Sequence, residues 1–492
     1  MLAGTRCVAV SQYLRREVMT EWALIMDEIH KAEELSGLCL LSGKERGFVY
    51  GADIAEFDDL KTEADVCKLI ELADTILSGI EALPCPTICG IDGVAVGGGL
   101  ELALAFDRIV VTSSAETKLG FPEIHLGIMP GYGGTGRAMR RIKAEHVIDM
   151  VLSGRLLSGE EAKAIGLVDT VTDSGITLRK TVADELTQPS VPDLGQTDSD
   201  VEQAVRLAEE TILQRLKKEQ TPAPFLICEH FRASGADWRA LVKTEPIRFS
   251  KMLLGEASHH LRRVFLLNDM VRKSSRGDSQ INTVHVIGAG TMGGDIAAVA
   301  AMSGFQTSLS DLDAEAVQKA MHRASRLFER RLKTEDKITA ASTLLTADPK
   351  GEGIAKADII IEAVSERLAV KQAVFSAVEA KAKPDAILAT NTSSIMIEDI
   401  ASALQVSKRL IGLHFFNPVP VLPLVEVIVG PSSDPAFISR AMQFAGQLKK
   451  MPVKVKSVKG FLVNRALLPY LFASIDAMIA GETPDKLDQA LH

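Results

Sequence analysis

The sequence predicts an α/β protein in two halves, and three observations point to this fold class. Up to about residue 172, short apolar segments alternate with helical patterns, which is typical of α/β domains. Between about 173 and 276 the strand-like segments give way to charged helical ones. From Ile281 an apolar segment, a glycine turn and a helix open a second α/β region. We therefore expect two α/β domains joined by a helical linker.

These changes along the chain predict four segments. At 492 residues the chain is long enough for two or three domains, each with a core of its own. The predicted segments are a first α/β domain at 1–175, a helical linker that completes it at 176–278, a dinucleotide-binding domain at 279–457, and the incomplete start of a helical C-terminal domain at 458–492.

The composition argues against several classes of protein. A net charge of −9 does not suit a general nucleic-acid binder, and no apolar run is long enough to span a membrane. Six cysteines without a CxxC pair or metal-like spacing indicate free thiols and no metal site. The N-terminus lacks the apolar core of a signal peptide, and the C-terminus is not a peroxisomal tripeptide. A cytoplasmic location is the simplest interpretation, or a peroxisomal one in a eukaryote.

A glycine-rich turn and two carboxylates indicate acid–base chemistry in the first half. Three glycines at 97–99 precede Glu101, and a helix starting there would offer free N–H groups to developing negative charge. A second small-residue turn lies at 51–57, and the segment 120–137 supplies Glu123. Taken alone, a glycine run of this kind is more often a structural turn. Together, these parts suit the addition of water across a conjugated thioester, which needs an acid, a base and an oxyanion hole.

In this arrangement the first half resembles the crotonase family and, within it, the enoyl-CoA hydratases. The matching segments, in the family's order, are GAD at 51–53, GGGLE at 97–101, PE at 122–123, and PG with GGT within 130–135. The resemblance implies a crotonase-like fold with oxyanion-hole amides on Ala52 and Gly98. It places the acid/base pair on Glu101 and Glu123, which favours a hydratase. The same pair often supports Δ3–Δ2 enoyl-CoA isomerisation in such enzymes.

The second half carries a dinucleotide-binding fingerprint. The glycines of GxGxxG, Gly288, Gly290 and Gly293, follow an apolar strand and open a helix. Asp311 ends the next strand, 18 residues after the third glycine. This context predicts a Rossmann-type, doubly wound parallel sheet. A carboxylate at Asp311 would bind ribose hydroxyls and repel a 2′-phosphate, so NAD is the predicted cofactor.

A histidine farther along suits the oxidation of a secondary alcohol. His414 could act as the general base, because an imidazole titrates near neutrality. Glu426, twelve residues later across a PVP turn, could return alongside it as an orienting carboxylate. In isolation, His414 would more often be an ordinary packed histidine.

The HFFNP segment at 414–418 resembles the 3-hydroxyacyl-CoA dehydrogenases. The resemblance places the base on His414 and its partner on Glu426. It also assigns substrate binding to Ser393 and Asn464, and places Glu366 near the nicotinamide. Members of that family continue for on the order of 100 residues as a helical domain, whereas 28 residues follow Asn464 here. We therefore expect a domain that is truncated relative to the family.

The segment between the two halves resembles the linker of two-headed β-oxidation enzymes. There, the helix before the Rossmann strand packs back on the hydratase core. An apolar spacing predicts a helix with one buried face, formed by Leu261, Val264, Phe265, Leu267 and Val271.

Taken together, the resemblances imply a bifunctional fatty-acid β-oxidation enzyme. It would hydrate trans-2-enoyl-CoA to (3S)-3-hydroxyacyl-CoA and oxidise that alcohol to 3-ketoacyl-CoA with NAD. Acyl-CoA thioesters are the expected substrates, and a thiolase subunit is a candidate partner. Two alternatives stay open: an enoyl-CoA isomerase beside an inactive dehydrogenase domain, or a truncated, non-catalytic fragment that binds CoA or NAD.

Overall fold

The computed structural model describes residues 13–32, 34–44, 47–186 and 193–491. These residues form two compact units, divided between Leu266 and Leu267. Within the described ranges, no helix is both long and apolar enough to cross a membrane. The five cysteines that the structure describes are free thiols, while Cys7 lies outside the described residues.

The first unit combines helices with two small parallel sheets. Its strands are β1 (Leu38–Leu41), β2 (Thr87–Ile91), β3 (Val94–Val96), β4 (Arg108–Thr112), β5 (Lys118–Gly120) and β6 (Thr170–Thr172). Its helices are α1 (Arg16–His30), α2 (Glu63–Glu81), α3 (Gly98–Leu104), α4 (Gly134–Arg141), α5 (Ala144–Ser153), α6 (Gly159–Ala164), α7 (Gly175–Glu185), α8 (Asp198–Thr211), α9 (Pro222–Ser234) and α10 (Trp238–Leu253), followed by α11 (Glu256–Ser274), which crosses the division.

The smaller sheet positions the glycine turn and the second carboxylate. Strands β1, β2, β4 and β6 form one parallel sheet in that order, and β3 pairs with β5 in the other. Val96, the last residue of β3, lies opposite Gly120, the last residue of β5. Because parallel strands end at the same edge, α3 and the 3₁₀ segment Pro122–Leu126 leave the sheet side by side.

The second unit is built on a single large sheet. Its strands are β7 (Thr283–Ile287), β8 (Gln306–Ser310), β9 (Leu345–Ala347), β10 (Ile359–Glu362), β11 (Ile387–Thr390), β12 (Leu410–Phe415), β13 (Leu424–Val429) and β14 (Met451–Lys456). Its helices are α12 (Thr291–Met302), α13 (Ala314–Arg331), α14 (Glu335–Leu344), α15 (Leu368–Glu379), α16 (Ile397–Ala401), α17 (Pro435–Gln447), α18 (Val463–Ile479) and α19 (Pro484–Leu491).

The strand order of this sheet is β14-β13-β12-β11-β10-β7-β8-β9. Neighbouring strands are parallel except for β12 and β13, which run antiparallel. The chain leaves β7 towards β8 on one side, while β10 flanks β7 on the other. This reversal of strand order opens a crevice at the carboxyl end of β7, the usual ligand site of a doubly wound sheet.

The expected buried face of the linker helix α11 is wrong. Its buried residues are instead Ser258 and Arg262. Arg262 donates hydrogen bonds to the Leu253 carbonyl and to the Ser258 hydroxyl, both at 2.7 Å. These polar contacts turn the apolar side of the helix outwards. The apolar residues left exposed are Leu261, Val264, Phe265 and Leu267, with Val271 half-buried.

Candidate active sites

Glu101 is a buried carboxyl held by backbone amides. It lies in the first turn of α3, with 2% of its surface exposed. Its Oε1 accepts hydrogen bonds from the N–H groups of Tyr132 and Gly134, both at 2.8 Å. Burial raises the pKa of Glu101 to about 7, in spite of these bonds and the charge of Arg137. Such a carboxyl can exchange a proton near neutral pH.

Glu123 offers a second buried carboxyl directly after β5. Its Oε2 is buried and finds no hydrogen-bond partner among the described residues. Burial raises the pKa of Glu123 well above its usual value, and the charge of Glu101 raises it further. A Cβ at Gly97 would lie 2.7 Å from Oε1 of Glu123, and Gly97 has a φ of +53°. Only glycine fits this turn, and a buried oxygen without a partner suits a site that a ligand completes.

The two predicted oxyanion-hole turns lie against each other. A Cβ built on Gly51, the neighbour of Ala52, would lie 3.0 Å from the backbone nitrogen of Gly98. Within the described ranges, no backbone hydrogen bond uses the N–H of Ala52 or of Gly98. Both groups are therefore available to an acceptor. Beside Gly98, a small apolar cavity is lined by Leu14, Met19, Trp22, Ile76, Leu77, Leu102 and Tyr132.

A third carboxyl, Glu245, belongs to the same site and escaped the sequence analysis. It lies in α10 and is fully buried. Its Oε1 accepts a hydrogen bond from the Gly133 N–H at 2.8 Å, and its Oε2 accepts one from the Thr135 N–H at 3.3 Å. Burial and then the charge of Glu101 raise the pKa of Glu245 to about 8. The only signal in the sequence is a lone glutamate before Pro246, which also suits an exposed helix face.

The glycine turn of the second unit follows β7 and fits a dinucleotide. A Cβ at Gly293 would lie 1.8 Å from the carbonyl oxygen of Gly288, so the turn closes tightly on itself. A Cβ at the exposed Gly290 would meet nothing within 4 Å, which leaves room for a phosphate group. Asp311 follows β8, and its Oδ2 accepts a hydrogen bond from the Ala289 N–H at 2.6 Å. These positions correspond to those that hold pyrophosphate and ribose in Rossmann folds.

Arg323 reaches this turn from α13 and was not predicted from the sequence. Its Nη2 donates hydrogen bonds to the carbonyl oxygens of Gly290, at 3.0 Å, and Ala289, at 3.4 Å. The guanidinium therefore ties the next helix to the backbone of the turn.

His414 and Glu426 lie directly opposite each other on the antiparallel strands β12 and β13. Nδ1 of His414 is 2.7 Å from Oε2 of Glu426. The other oxygen, Oε1, accepts the N–H groups of Leu462 at 2.9 Å and Val463 at 2.8 Å. Burial opposes the ionisation of Glu426, but its hydrogen bonds with His414 and these amides lower its pKa overall. An ionised Glu426 favours a proton on Nδ1 of His414, which leaves Nε2 free to accept one.

Glu366, Ser393 and Asn464 form one cluster. Oε1 of Glu366 accepts the Ser393 N–H at 2.9 Å and the Ser393 hydroxyl at 3.2 Å. The amide of Asn464 donates to the Ser393 carbonyl at 3.0 Å. Burial opposes the ionisation of Glu366, but hydrogen bonds from Thr392, Ser393 and Ser394 and the charge of Lys371 lower its pKa to about 2. The cluster adjoins the histidine site because Val463, next to Asn464, donates to Glu426.

A buried ion pair between Lys371 and Glu362 adjoins this cluster. Nζ of Lys371 lies 2.8 Å from Oε1 of Glu362 and 3.3 Å from Oε2 of Glu366. The Thr390 hydroxyl donates to the other oxygen of Glu362 at 2.7 Å. Neither Glu362 nor Lys371 was predicted. A charged residue ending the apolar strand IIIE was the available signal for Glu362, whereas Lys371 lies in an unremarkable helical pattern.

Family models match both halves of the chain. The model described as "Enoyl-CoA hydratase/isomerase" matches residues 11–218, and the model described as "3-hydroxyacyl-CoA dehydrogenase, NAD binding domain" matches residues 283–458. Fatty acid oxidation complex subunit alpha of Shewanella halifaxensis is 32% identical over 97% of this chain and 70% of its own length. The chain belongs to this family. The corresponding subunit of Pseudomonas entomophila is 33% identical over 97% of this chain and 69% of its own length.

Membership in this family confirms the predicted fold class, a crotonase-like domain followed by a Rossmann-type one. It also confirms the prediction of a chain that joins hydratase and dehydrogenase domains and of NAD as cofactor. Among solved structures, 3-hydroxybutyryl-CoA dehydrogenase from Escherichia coli is 38% identical over 41% of this chain and 43% of its own, with a TM-score of 0.40.

Proposed function

We propose that the chain catalyses two consecutive steps of fatty-acid β-oxidation. The first unit adds water to trans-2-enoyl-CoA, giving (3S)-3-hydroxyacyl-CoA, and the second oxidises that alcohol to 3-ketoacyl-CoA with NAD. One observation carries this proposal: a buried carboxyl pair beside free backbone amides lies in one unit, and the other unit contains both a histidine–carboxylate pair and a glycine turn that fits a dinucleotide. Each arrangement matches the chemistry of one step.

Hydration is assigned to Glu101 and Glu123. One carboxylate takes a proton from water as the water oxygen bonds to the β-carbon, and the other carboxyl gives a proton to the α-carbon. The N–H groups of Ala52 and Gly98 hold the thioester oxygen while it carries negative charge. Raised pKa values keep a protonated and an ionised carboxyl available together near neutral pH.

Oxidation is assigned to His414, with Glu426 as its orienting partner. Nε2 of His414 takes the proton of the substrate hydroxyl, while Glu426 fixes the ring and stabilises its charged form. Ser393 and Asn464 hold the substrate, and Glu366 orders the segment that contains Ser393. Bound NAD supplies the hydride acceptor for this step. Asp311 would favour NAD over NADP because a carboxylate repels a 2′-phosphate.

Four further assignments belong to the same proposal. The carboxyl pair could also move a proton between the α- and γ-carbons, which would give Δ3–Δ2 enoyl-CoA isomerisation. Acyl-CoA thioesters are the proposed substrates, and a thiolase subunit is the proposed partner, a suggestion supported by the word "complex" in the relatives' name. The four-segment division at 175, 278 and 457 is retained as a proposal.

Paired substitutions test the division of labour. Glu123→Gln should abolish the hydration of crotonyl-CoA and leave NADH formation from 3-hydroxybutyryl-CoA unchanged, because the carboxyl serves only the first unit. His414→Gln should do the reverse. Both reactions are measured on each purified, folded variant. Loss of both activities from either substitution alone would show that the two sites are not separate.

A further inference from the structure

We propose that Glu245 is a positioning residue of the hydration site: it fixes the turn at 132–135, and that turn fixes the carboxyl of Glu101. The inference rests on the proposed hydration activity. Glu245 lies in α10, beyond the residues 11–218 that the hydratase family model matches. It thus comes from the segment predicted to be a linker.

Four consecutive backbone amides alternate between two carboxyls. The N–H groups of Tyr132 and Gly134 donate to Glu101, and those of Gly133 and Thr135 donate to Glu245. The hydroxyl of Thr135 donates to Glu245 as well. In chain order, the first two donors precede α4, and the other two are its first residues. Neither carboxyl can shift without disturbing amides adjacent to those that hold the other.

The contacts of Glu245 bear on Glu101 through this turn. The amides of Tyr132 and Gly134 that donate to Glu101 are each adjacent in the chain to an amide that donates to Glu245. Besides the two carboxyls, Arg137 contacts the turn, since its Nη1 donates to the Tyr132 carbonyl at 2.6 Å. Loss of the Glu245 contacts would therefore remove the acceptor of the Gly133 and Thr135 amides and loosen the turn. A shift on the order of 1 Å in a catalytic group can cost about 100-fold in rate.

The charges around Glu245 predict an effect on proton transfer as well. Facing it are Glu101 on α3, Glu123 after β5 and Arg137 on α4, while Arg137 is itself paired with Glu81 at 3.0 Å. The charge of Glu245 is one of the causes that raise the pKa of Glu123. Removing the charge should therefore lower the pKa of Glu123. The limb of the pH–rate profile that reports the ionisation of Glu123 should therefore move to lower pH, whether Glu123 acts as the acid or as the base.

Glu245→Gln tests the inference, since it keeps the size of the side chain but replaces one acceptor oxygen with a donor. We expect kcat for crotonyl-CoA hydration to fall by about 10- to 100-fold and KM to change less. The limb of the pH profile that reports Glu123 should lie at lower pH. Glu245→Asp should restore part of the activity. NADH formation from 3-hydroxybutyryl-CoA should stay unchanged. The matched control is Glu210→Gln, at an exposed position of α8 in the same unit.

The outcomes separate the inference from the proposed function. If the unaltered chain fails to hydrate crotonyl-CoA, the proposed function fails and the inference falls with it. If the unaltered chain is active, and folded Glu245→Gln matches it in kcat and pH profile, the inference alone is overturned, even where thermal stability drops. Should Glu245→Gln not fold, Thr135→Val removes only the hydroxyl contact. It should lower kcat in the same direction, and an unchanged kcat would overturn the inference.

Discussion

At the residue scale, both proposed sites rest on a buried carboxyl held by two backbone amides, yet the pKa of each carboxyl moves the opposite way. At Glu101 the effect of burial is the largest, and it raises the pKa. The nearby cation, Arg137, is already paired with Glu81, and the other nearby charges are carboxylates. At Glu426 the hydrogen bond with His414 joins those of the two amides, and together they outweigh burial. One carboxyl is thereby suited to exchanging protons, and the other to staying ionised beside an imidazole.

Glu426→Gln should disable the dehydrogenase while leaving hydration intact. The new amide would place an N–H donor against Nδ1 of His414. This favours the tautomer that carries its proton on Nε2, and a protonated Nε2 cannot accept the proton of the substrate hydroxyl. We expect kcat for NADH formation to fall by about 10²- to 10⁴-fold, the usual contribution of a positioned base. Glu329→Gln, at an exposed position of α13, is the control. A Glu426→Gln enzyme within a few-fold of the unaltered kcat would contradict the assigned orienting role.

Arg323→Gln should weaken NAD binding, because it removes the guanidinium that holds the Gly290 and Ala289 carbonyls. We expect the Kd for NADH, measured by fluorescence titration, to rise about tenfold, which corresponds to roughly 1.4 kcal/mol. Arg326→Gln removes the same charge from an exposed position three residues later and should leave the Kd unchanged. Equal effects of the two substitutions would mean that only the overall charge of α13 matters.

At the scale of elements, strand pairing brings distant residues together where the sequence leaves them apart. The antiparallel register of β12 and β13 sets His414 against Glu426, and the parallel register of β3 and β5 sets the turns before Glu101 and Glu123 at one sheet edge. Helix α15 contributes through the Lys371–Glu362 pair, which ties it to the end of β10.

Lys371→Met should destabilise the second unit. It leaves Glu362 fully buried without its cation, and the loss of one partner from such a pair costs about 3 to 5 kcal/mol. The free energy of unfolding from urea denaturation, followed with a probe in this unit, measures the effect. Lys381→Met, at an exposed position just past α15, should change it little. Glu362 also accepts the Val364 N–H at 2.7 Å. A loss of stability below about 1 kcal/mol would show that this bond and the one from the Thr390 hydroxyl satisfy Glu362 without Lys371.

Local patterns in the sequence predict those parts of the sites in which neighbouring residues act together. The glycine turn of the second unit, Asp311 and the strand–turn–strand spacing of His414 and Glu426 are of this kind, since each depends on regular elements of known geometry. Glu245 could not be predicted, because a helix pattern does not reveal that this side chain meets Gly133, 112 residues away. Lys371 could not be predicted either, because the helix pattern does not show that its side chain turns inwards to Glu362, nine residues earlier at the end of β10. The apolar face expected on α11 failed because the polar contacts of Arg262 determine which side packs.

At the scale of the whole molecule, the site carboxyls of the two units should contribute to the pH dependence of stability with opposite signs. Glu101 and Glu245 have pKa values of about 7 and about 8, above the ordinary value of 4.5, so the folded first unit holds protons that the unfolded chain has released. Its stability should fall as pH rises from about 4.5 to 8, by up to roughly 1.4 kcal/mol per pH unit for each group. Glu366, with a pKa of about 2, stabilises the second unit above pH 4.5, and that stability is lost as pH falls towards 2.

Calorimetry on the unaltered chain and on two variants checks these signs. Relative to the unaltered chain, Glu245→Gln should gain stability in the first unit between pH 5 and pH 8, because it lacks a proton-binding group. Glu366→Gln should make the second unit less stable than in the unaltered chain above about pH 4.5, and this difference should shrink as the pH falls below that value. Stability curves that run parallel to those of the unaltered chain in these windows would refute the assigned directions.

The alternation of the amides at 132–135 limits which insertions and deletions this segment can tolerate. Surface loops usually tolerate insertions and deletions because added length costs little. In this turn, one residue more or less would exchange the amides facing Glu101 with those facing Glu245. Viable length variation should therefore collect elsewhere in the chain. Libraries of single-codon insertions would then show a sharp loss of tolerance between Gly131 and Thr135, even though three of these five residues precede helix α4.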